Sequence, residues 1–323
     1  MWGKLTAIGA GAFTLIGCVS GVSVSASASM PGKATPTTVA APNAARPCPG
    51  HAVPRRYTHV IWIFMENHSY GKIIGSRQAP FINSLASRCG LATNYHNITH
   101  PSLPNYIAAT SGVGAATLAR FVTDCGPAGQ CVTSSLSIFG QGESWRSYEE
   151  TMPANCAKTN AGLYAVRHNP AAYYTSLRHC GRFDVPFTRL AGDLAHNTLP
   201  AFAFITPNLV DDMHNGTVPD GDKWLATHVP AILNSRAYGS GSTVLFITWD
   251  EGEGGSSKQC ATNTTDVGCR VATLVISPST RAGTRSRTLF NHSSLLGTAE
   301  QLLGLHKLNQ ASKFPTMVRA FRL

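Results

Sequence analysis

A chain of 323 residues with 43% hydrophobic residues is long enough for one large domain and too apolar to be disordered throughout. Charged residues make up only 13% and the formal net charge is +10, a balance that favours anionic substrates or surfaces. The Lys and Arg are scattered, with no run of five, so nothing signals a dedicated nucleic-acid patch.

Residues 1–28 read as a secretory signal. Lys4 gives the positive start, an apolar small-residue stretch follows, and Ala26-Ser27-Ala28 offers a cleavage site. Leu15-Ile16-Gly17-Cys18 also fits a lipoprotein box, which would leave Cys18 lipidated as an anchor; secretion and surface anchoring both stay open. Residues 29–55 are Pro-, Ala- and Thr-rich without an apolar period and read as a linker. One catalytic domain is expected over residues 56–323, and no later stretch is long and apolar enough to span a bilayer.

Tyr57–Met65 is a β-branched and aromatic run, expected to be a buried strand that ends in Glu66, Asn67 and His68. Pro80–Arg88 has apolar residues at helical spacing behind a Pro start. Ser102 stands just ahead of a helix expected over Pro104–Thr110. Leu136–Gln141 and Ser144–Glu150 are read as a helix and a strand, Cys156–Cys180 as loop-rich, and Phe183–Ala195 as covering the sheet. Ala201–Thr206 is a strand followed by PNLVDDMHNG, and Gly221–Asn234 a helix kinked at Pro230. Thr243–Trp249 is the strongest strand and ends in Asp250-Glu251-Gly252; Arg270–Ser277 is another. Asn291-His292 leads into a helix over Ser293–Leu305. Continuous apolar strands alternating with helices predict an α/β fold with a mostly parallel sheet covered on both faces.

Of nine cysteines, Cys18 lies in the leader and the other eight form an even set, as in an oxidised exported protein. Cys125–Cys131 and Cys260–Cys269 are read as short loop staples, with Cys48–Cys89 and Cys156–Cys180 following. No C-x-x-C, G-x-S-x-G, H-E-x-x-H or P-loop occurs, which counts against zinc ribbons, α/β-hydrolases, zinc proteases and nucleotide kinases.

The polar clusters fall at strand ends, where open α/β sheets bind ligands. Glu66, Asn67, Asp250 and Glu251 offer hard oxygen ligands suited to a divalent cation; zinc or iron would fit better if a histidine joins. The same residues serve equally well as helix caps or solvated turns. A serine at a helix start is commonly an N-cap, but Ser102 there can also be a nucleophile beside a bound phosphate, with Thr99 as runner-up. Asn105, one turn on, is read as a donor to a phosphoryl oxygen. His100, His168, His214 and His292 sit in polar, turn-like sequence, suited to binding phosphate or protonating a leaving alkoxide; a lone loop histidine is more often merely exposed.

The blocks FMENHSYGKIIG, APFINSLA, NITHPSLPNYIAATSG, RHNPAAYY, LPAFAFITPNLVDDMHNG, GDKWL, TWDEG and NHSSLLGTAEQLLGL, in this order over residues 57–310, resemble the bacterial phosphoesterase family. That family includes secreted acid phosphatases and phospholipase C enzymes within the alkaline phosphatase-like group. The resemblance implies a three-layer α/β/α sandwich and a covalent phosphoryl-enzyme. It implies metal ligation by Glu66-Asn67 and Asp250-Glu251, with Ser102 as nucleophile. Asp212, His214, His292, His168 and Asn169 match polar residues around the phosphate, His214 or His292 protonating the leaving oxygen. Fewer His and Asp candidates are present than in two-zinc alkaline phosphatases, so one divalent cation of unknown identity is expected rather than two.

The expectation is therefore a secreted or cell-surface acid phosphatase, acting as a monomer on small phosphate esters or phospholipid headgroups, phosphoinositides included. Membrane-surface contact stays open and nucleic acid is not expected. A phospholipase C-type diesterase is the rival enzyme; the lack of a long C-terminal extension favours the monoesterase. An exported phosphate- or sugar-binding protein is the non-enzymatic rival, and would need no acid pairs at two strand ends beside a hydroxyl.

Overall fold

The computed structural model describes residue 44, residues 46–255 and residues 257–323. The expected signal segment, the Cys18 box and the linker up to residue 43 lie outside the described residues.

One mixed sheet organises the fold. Its strands are β1 (His59–Met65), β2 (Gly90–His96), β3 (Trp145–Glu149), β4 (Asp184–Pro186), β5 (Phe202–Thr206), β6 (Thr243–Trp249), β7 (Arg270–Ile276), β8 (Arg285–Ser286) and β9 (Phe290–Asn291). The order is β4-β3-β5-β1-β6-β7-β2-β8, with β9 also on β2. All neighbours pair in parallel except β7, which runs antiparallel to both β6 and β2. The central strands β1, β5 and β6 are buried at nearly every position, which explains their unbroken apolar sequence.

Helices cover both faces, as expected of a three-layer sandwich. Adjacent residues of a strand point to opposite faces. Phe64 meets the ring of Tyr106 in the helix Ser102–Ser111. Met65, next in the strand, lies against Gly221 in the helix Val218–Leu233, where an added Cβ would come within 2.9 Å of the Met65 methyl. The first helix ends at Gly112, whose φ of 65° is the left-handed conformation a side chain would strain.

The sequence reading held for β1, β5, β6, the helix Pro80–Arg88 and the helix His292–Leu303 to within a few residues. Four differences have physical causes. Gly90–His96 was not expected as a strand, because its mixed polar pattern GLATNYH hides a central position between β7 and the short β8 and β9. Asp184–Pro186 joins the sheet edge as β4 rather than covering it; only Arg189–His196 is helical in that segment. Leu136–Gln141 shrinks to a three-residue turn of 3₁₀ helix. The helix read from Gly221 starts at Val218, because Thr217 and Asp220 form a reciprocal capping box ahead of Pro219.

The four expected disulfides are present: Cys48–Cys89, Cys125–Cys131, Cys156–Cys180 and Cys260–Cys269. Among the described residues no helix is long and apolar enough to cross a membrane.

Candidate active site

Parallel pairing brings the carboxyl ends of most strands to one edge. Met65 is in register with Trp249, so Glu66 and Asp250 emerge side by side. The backbone continues the pairing: Asp250 N–H donates to Met65 O at 2.9 Å, and Glu66 N–H to Asp212 O at 2.8 Å. Asn67 has a φ of 50°, a left-handed turn that Asn tolerates, and its N–H donates to Asp250 Oδ1 at 3.2 Å. On β2, Tyr95 and His96 are in register with Phe290 and Asn291, which delivers His292 to the same edge.

Ser102 is the first residue of its helix, and the N-cap position is held by Pro101, which has no side chain to cap with. The Ser102 hydroxyl faces carboxylates: Glu66 Oε2 at 3.0 Å and Glu251 Oε1 at 3.3 Å. One proton serves both acceptors, so the contacts alternate. The helix's early N–H at Leu103 donates to Asp124 Oδ1 at 2.9 Å, an acid placed where the helix dipole favours one.

Around this hydroxyl the chain buries acids tightly. Glu66 accepts from Tyr106 Oη at 2.6 Å through its other oxygen. His168 Nδ1 pairs with Asp212 Oδ2 at 3.0 Å, while its Nε2 lies 3.2 Å from Glu66 Oε1 without the alignment of a hydrogen bond. His214 N–H donates to Asp212 Oδ1, and His214 Nε2 accepts from the Arg167 guanidinium at 3.0 Å. His100 Nδ1 pairs with Glu251 Oε2 at 2.5 Å.

Burial pushes the Glu66 carboxyl well above the usual range, and the charges of Asp250 and Asp212 add to it. Asp250 is raised by burial and then by Glu251, and Asp212 chiefly by burial. Burial lowers His168, with Arg167 and His214 adding to the effect. Crowded buried carboxyls are costly without a positive partner. Asp250 Oδ2 and His168 Nε2 are buried with no hydrogen-bond partner. Ligand atoms of Glu66, His168 and His214 also lie within 4.8 Å of one another. The donor set therefore fits a divalent cation, and histidines do join the acids, which widens the choice toward zinc or iron.

The structure brings Ser102, Glu66, Asp250, Glu251, His100, His168, Asp212 and His214 together, with Asn67 at their margin. Four other residues read as site groups are engaged elsewhere. Asn105 accepts from the N–H groups of Ile98 and Thr99 and donates to the carbonyls of Thr99 and Pro101, so it shapes the loop before Ser102 instead of facing substrate. Asn169 turns its amide to Asp184 and Tyr164. His292 contacts Tyr95 Oη at 3.0 Å and Asp250 O at 2.6 Å, is fully buried, and is pushed down to about 4 by that burial. It holds Asp250 in place and has no free nitrogen for a leaving group. Thr99 donates its hydroxyl to His100 O and does not reach the acids.

Tyr106, Asp124 and Arg167 were missed. Tyr106 sits four residues after Ser102 and hence on the same helix face, a legible signal. Arg167 adjoins His168, but nothing in the sequence announces that it reaches His214.

Comparison with known proteins adds an independent finding. A family described as the Phosphoesterase family matches residues 76–306. The chain is similar to a phosphatidylinositol-3-phosphatase of Mycobacterium tuberculosis, 31% identical over 80% of this chain and 81% of that protein. It is also similar to an acid phosphatase of Aspergillus fumigatus, 28% identical over 77% of this chain but only 55% of that protein. The chain thus spans about half the length of that fungal relative. In fold it is similar to a protein of the alkaline phosphatase superfamily from Vibrio parahaemolyticus, with a TM-score of 0.52 at 12% identity over 80% of this chain and 69% of that one. A phosphonate monoester hydrolase of Agrobacterium radiobacter aligns with a TM-score of 0.54 at 12% identity, over 82% and 77% of the two chains.

Proposed function

The chain belongs to the Phosphoesterase family, and from that premise we propose that it is an exported phosphomonoesterase of the acid phosphatase type. Its substrates on this reading are small phosphate esters, phosphoinositides among them, cleaved through a phosphoserine on Ser102. The observation that carries the reading is the Ser102 hydroxyl within hydrogen-bond reach of two carboxylates from two different strand ends.

A phosphate entering at the start of the helix Ser102–Ser111 meets the Ser102 N–H and the positive end of the helix dipole; the Leu103 N–H is held by Asp124 and Pro104 has none. Ser102 Oγ attacks phosphorus in line while its proton passes to Glu66 or Glu251. The bond to the leaving oxygen breaks, and water later cleaves the phosphoserine. A divalent cation would be held by Glu66, Asn67, Asp250 and Glu251, with His168 and His214 within reach, and would supply charge stabilisation for the phosphoryl group. His292 is committed internally, and His214 has both ring nitrogens engaged, Nε2 by Arg167 and Nδ1 by Asn215 Oδ1 at 2.8 Å, so protonation of the leaving oxygen falls to His100, whose Nδ1 pairs with Glu251 and whose Nε2 has no partner. Tyr106 fixes one oxygen of Glu66 so that the other faces Ser102.

Four disulfides among the described residues fit an oxidising compartment. Export by the segment 1–28, with or without an anchor at Cys18, is part of the proposal.

A phosphatase panel tests the reading. Purified protein should release phosphate from p-nitrophenyl phosphate and from phosphatidylinositol 3-phosphate, and lose that activity with chelator. Cleavage of phosphatidylcholine without monoester turnover would replace it by the phospholipase C-type reading.

A further inference from the structure

The acidic cluster leaves a large groove beside it unexplained. This groove, of about 640 Å³, is lined by the segments that precede and follow the helix Ser102–Ser111. Ile98 and Thr99, just ahead of the helix, line it, as do Val113 and Gly114 just past the helix end. Its volume lies within the range of small-molecule sites, about 300–1,000 Å³.

The lining is mostly apolar. Val113 and Leu118 are buried in its floor, and Val122 is 48% exposed at its rim. Large apolar side chains left at a surface in a concave lining mark a binding site more often than isolated ones do. The end nearest the acids is polar and cationic. Lys258, exposed on the loop that ends at Cys260, donates to His100 O at 3.2 Å. His100 pairs with Glu251, and Glu251 faces Ser102. One end of the groove is thus built by the segment that delivers the nucleophile.

A trough with a cationic head beside a phosphate-ester site complements an amphiphile carrying its anionic group at one end. We propose that this groove is a hydrocarbon subsite, receiving the alkyl or acyl chain of a phosphate ester whose phosphate lies at Ser102. The assignment rests on the phosphomonoesterase reading above and names its substrate class: phosphate esters with a long chain close to the phosphate.

The test uses the full purified protein with divalent cation, p-nitrophenyl phosphate, and n-alkyl phosphates from butyl to decyl below their micelle concentrations. Burial of each added methylene should raise kcat/KM, giving a rise on the order of 10³-fold across the series at full burial. Ala115→Trp, an exposed position that fills the groove, and Val122→Asp, at its rim, should flatten the rise while p-nitrophenyl phosphate turnover stays at the wild-type level. A flat series in a wild-type enzyme that turns over p-nitrophenyl phosphate overturns the groove alone. So does a rise that both variants retain. Calorimetric binding of decylphosphonate against methylphosphonate separates the two proposals. If no monoester is hydrolysed, the phosphomonoesterase reading falls, and equal binding of the two phosphonates then removes the groove as well. Decylphosphonate bound at least tenfold more tightly, and equalised by Ala115→Trp, upholds the subsite.

Discussion

Ser102 Oγ and Glu66 Oε2 meet at 3.0 Å although 36 positions separate them. They also belong to strands that are not neighbours. Glu66 follows β1, Ser102 is reached from β2, and β6 and β7 stand between. At about 4.8 Å per strand the gap is roughly 14 Å. The segment 97–101 must therefore fold back across the strand ends to deliver the hydroxyl. The amide of Asn105 and the disulfide loop beside it hold that path, through Cys260 N–H on Ile98 O and Asn97 N–H on Cys269 O. The contact is a product of tertiary folding, and removing the hydroxyl tests its purpose directly.

Ser102→Ala should lower turnover of p-nitrophenyl phosphate by on the order of 10³-fold or more, the usual cost of losing a nucleophile. Its thermal unfolding curve should stay close to wild type, since Ala is a good helix former and the lost hydroxyl faces acids, not apolar neighbours. Full activity in the variant would take Ser102 out of the reaction.

Asp250 should behave as a ligand whose charge is a liability without a cation. Its Oδ2 is buried without a partner, and Glu251 and Glu66 lie beside it. Dialysis against chelator should abolish activity and lower Tm, and adding Mg²⁺, Mn²⁺, Ca²⁺ or Zn²⁺ should show which ion restores both. Asp250→Asn removes one repelling charge. Its metal-free form should melt no lower than metal-free wild type, while its cation affinity and kcat fall by at least an order of magnitude. Metal analysis with calorimetry checks this; unchanged cation binding in Asp250→Asn would clear Asp250 of that role.

Much of this was legible in the chain because the chemistry sits on short, strongly patterned segments. The apolar run of β1 ends in an acid and an amide and that of β6 in two acids, and their parallel direction was implied by the α/β alternation. The reversal of β7 was not legible, since antiparallel and parallel buried strands share one composition. Nor were the inward commitments of Asn105, Asn169 and His292, because a polar residue in a loop sequence looks the same whether it faces substrate or backbone. Arg167 and Asp124 enter the site through long loops whose course no local pattern specifies.

A second buried acid pair gives a pH signature away from Ser102. Burial pushes Asp184 up to about 7, moderated by the Asn169 amide. Glu149, in the neighbouring strand β3, is raised well above its usual range by burial and then by Asp184. The folded state therefore holds protons that the unfolded chain releases near pH 4. The resulting stabilisation is complete below that pH and is lost as pH rises through about 7. Thermal unfolding should show a falling Tm between pH 5 and about pH 8. Asp184→Asn should flatten that slope, and an unchanged slope would mean the pair does not titrate in this range.

The two disulfides that flank β2 should separate stability from catalysis. Cys89 precedes the strand at the edge away from the site, and Cys48–Cys89 closes a separation of 41 residues. Cys260–Cys269 closes only 9 and sits at the other end, pinned to Asn97 and Ile98 on the path to Ser102. Loop-closure entropy assigns about 4 kcal/mol to the first and about 3 kcal/mol to the second. Removing the first with paired Cys→Ser changes should therefore give the larger drop in denaturant midpoint and leave kcat of the surviving folded protein nearly intact. Removing the second should cost less stability yet lower kcat at least tenfold, because the segment 97–101 would no longer hold Ser102 against Glu66 within the tolerance that in-line attack requires. Urea titrations and initial rates on both double variants decide the point: equal kcat losses would mean the 260–269 loop acts only as a stabilising tie.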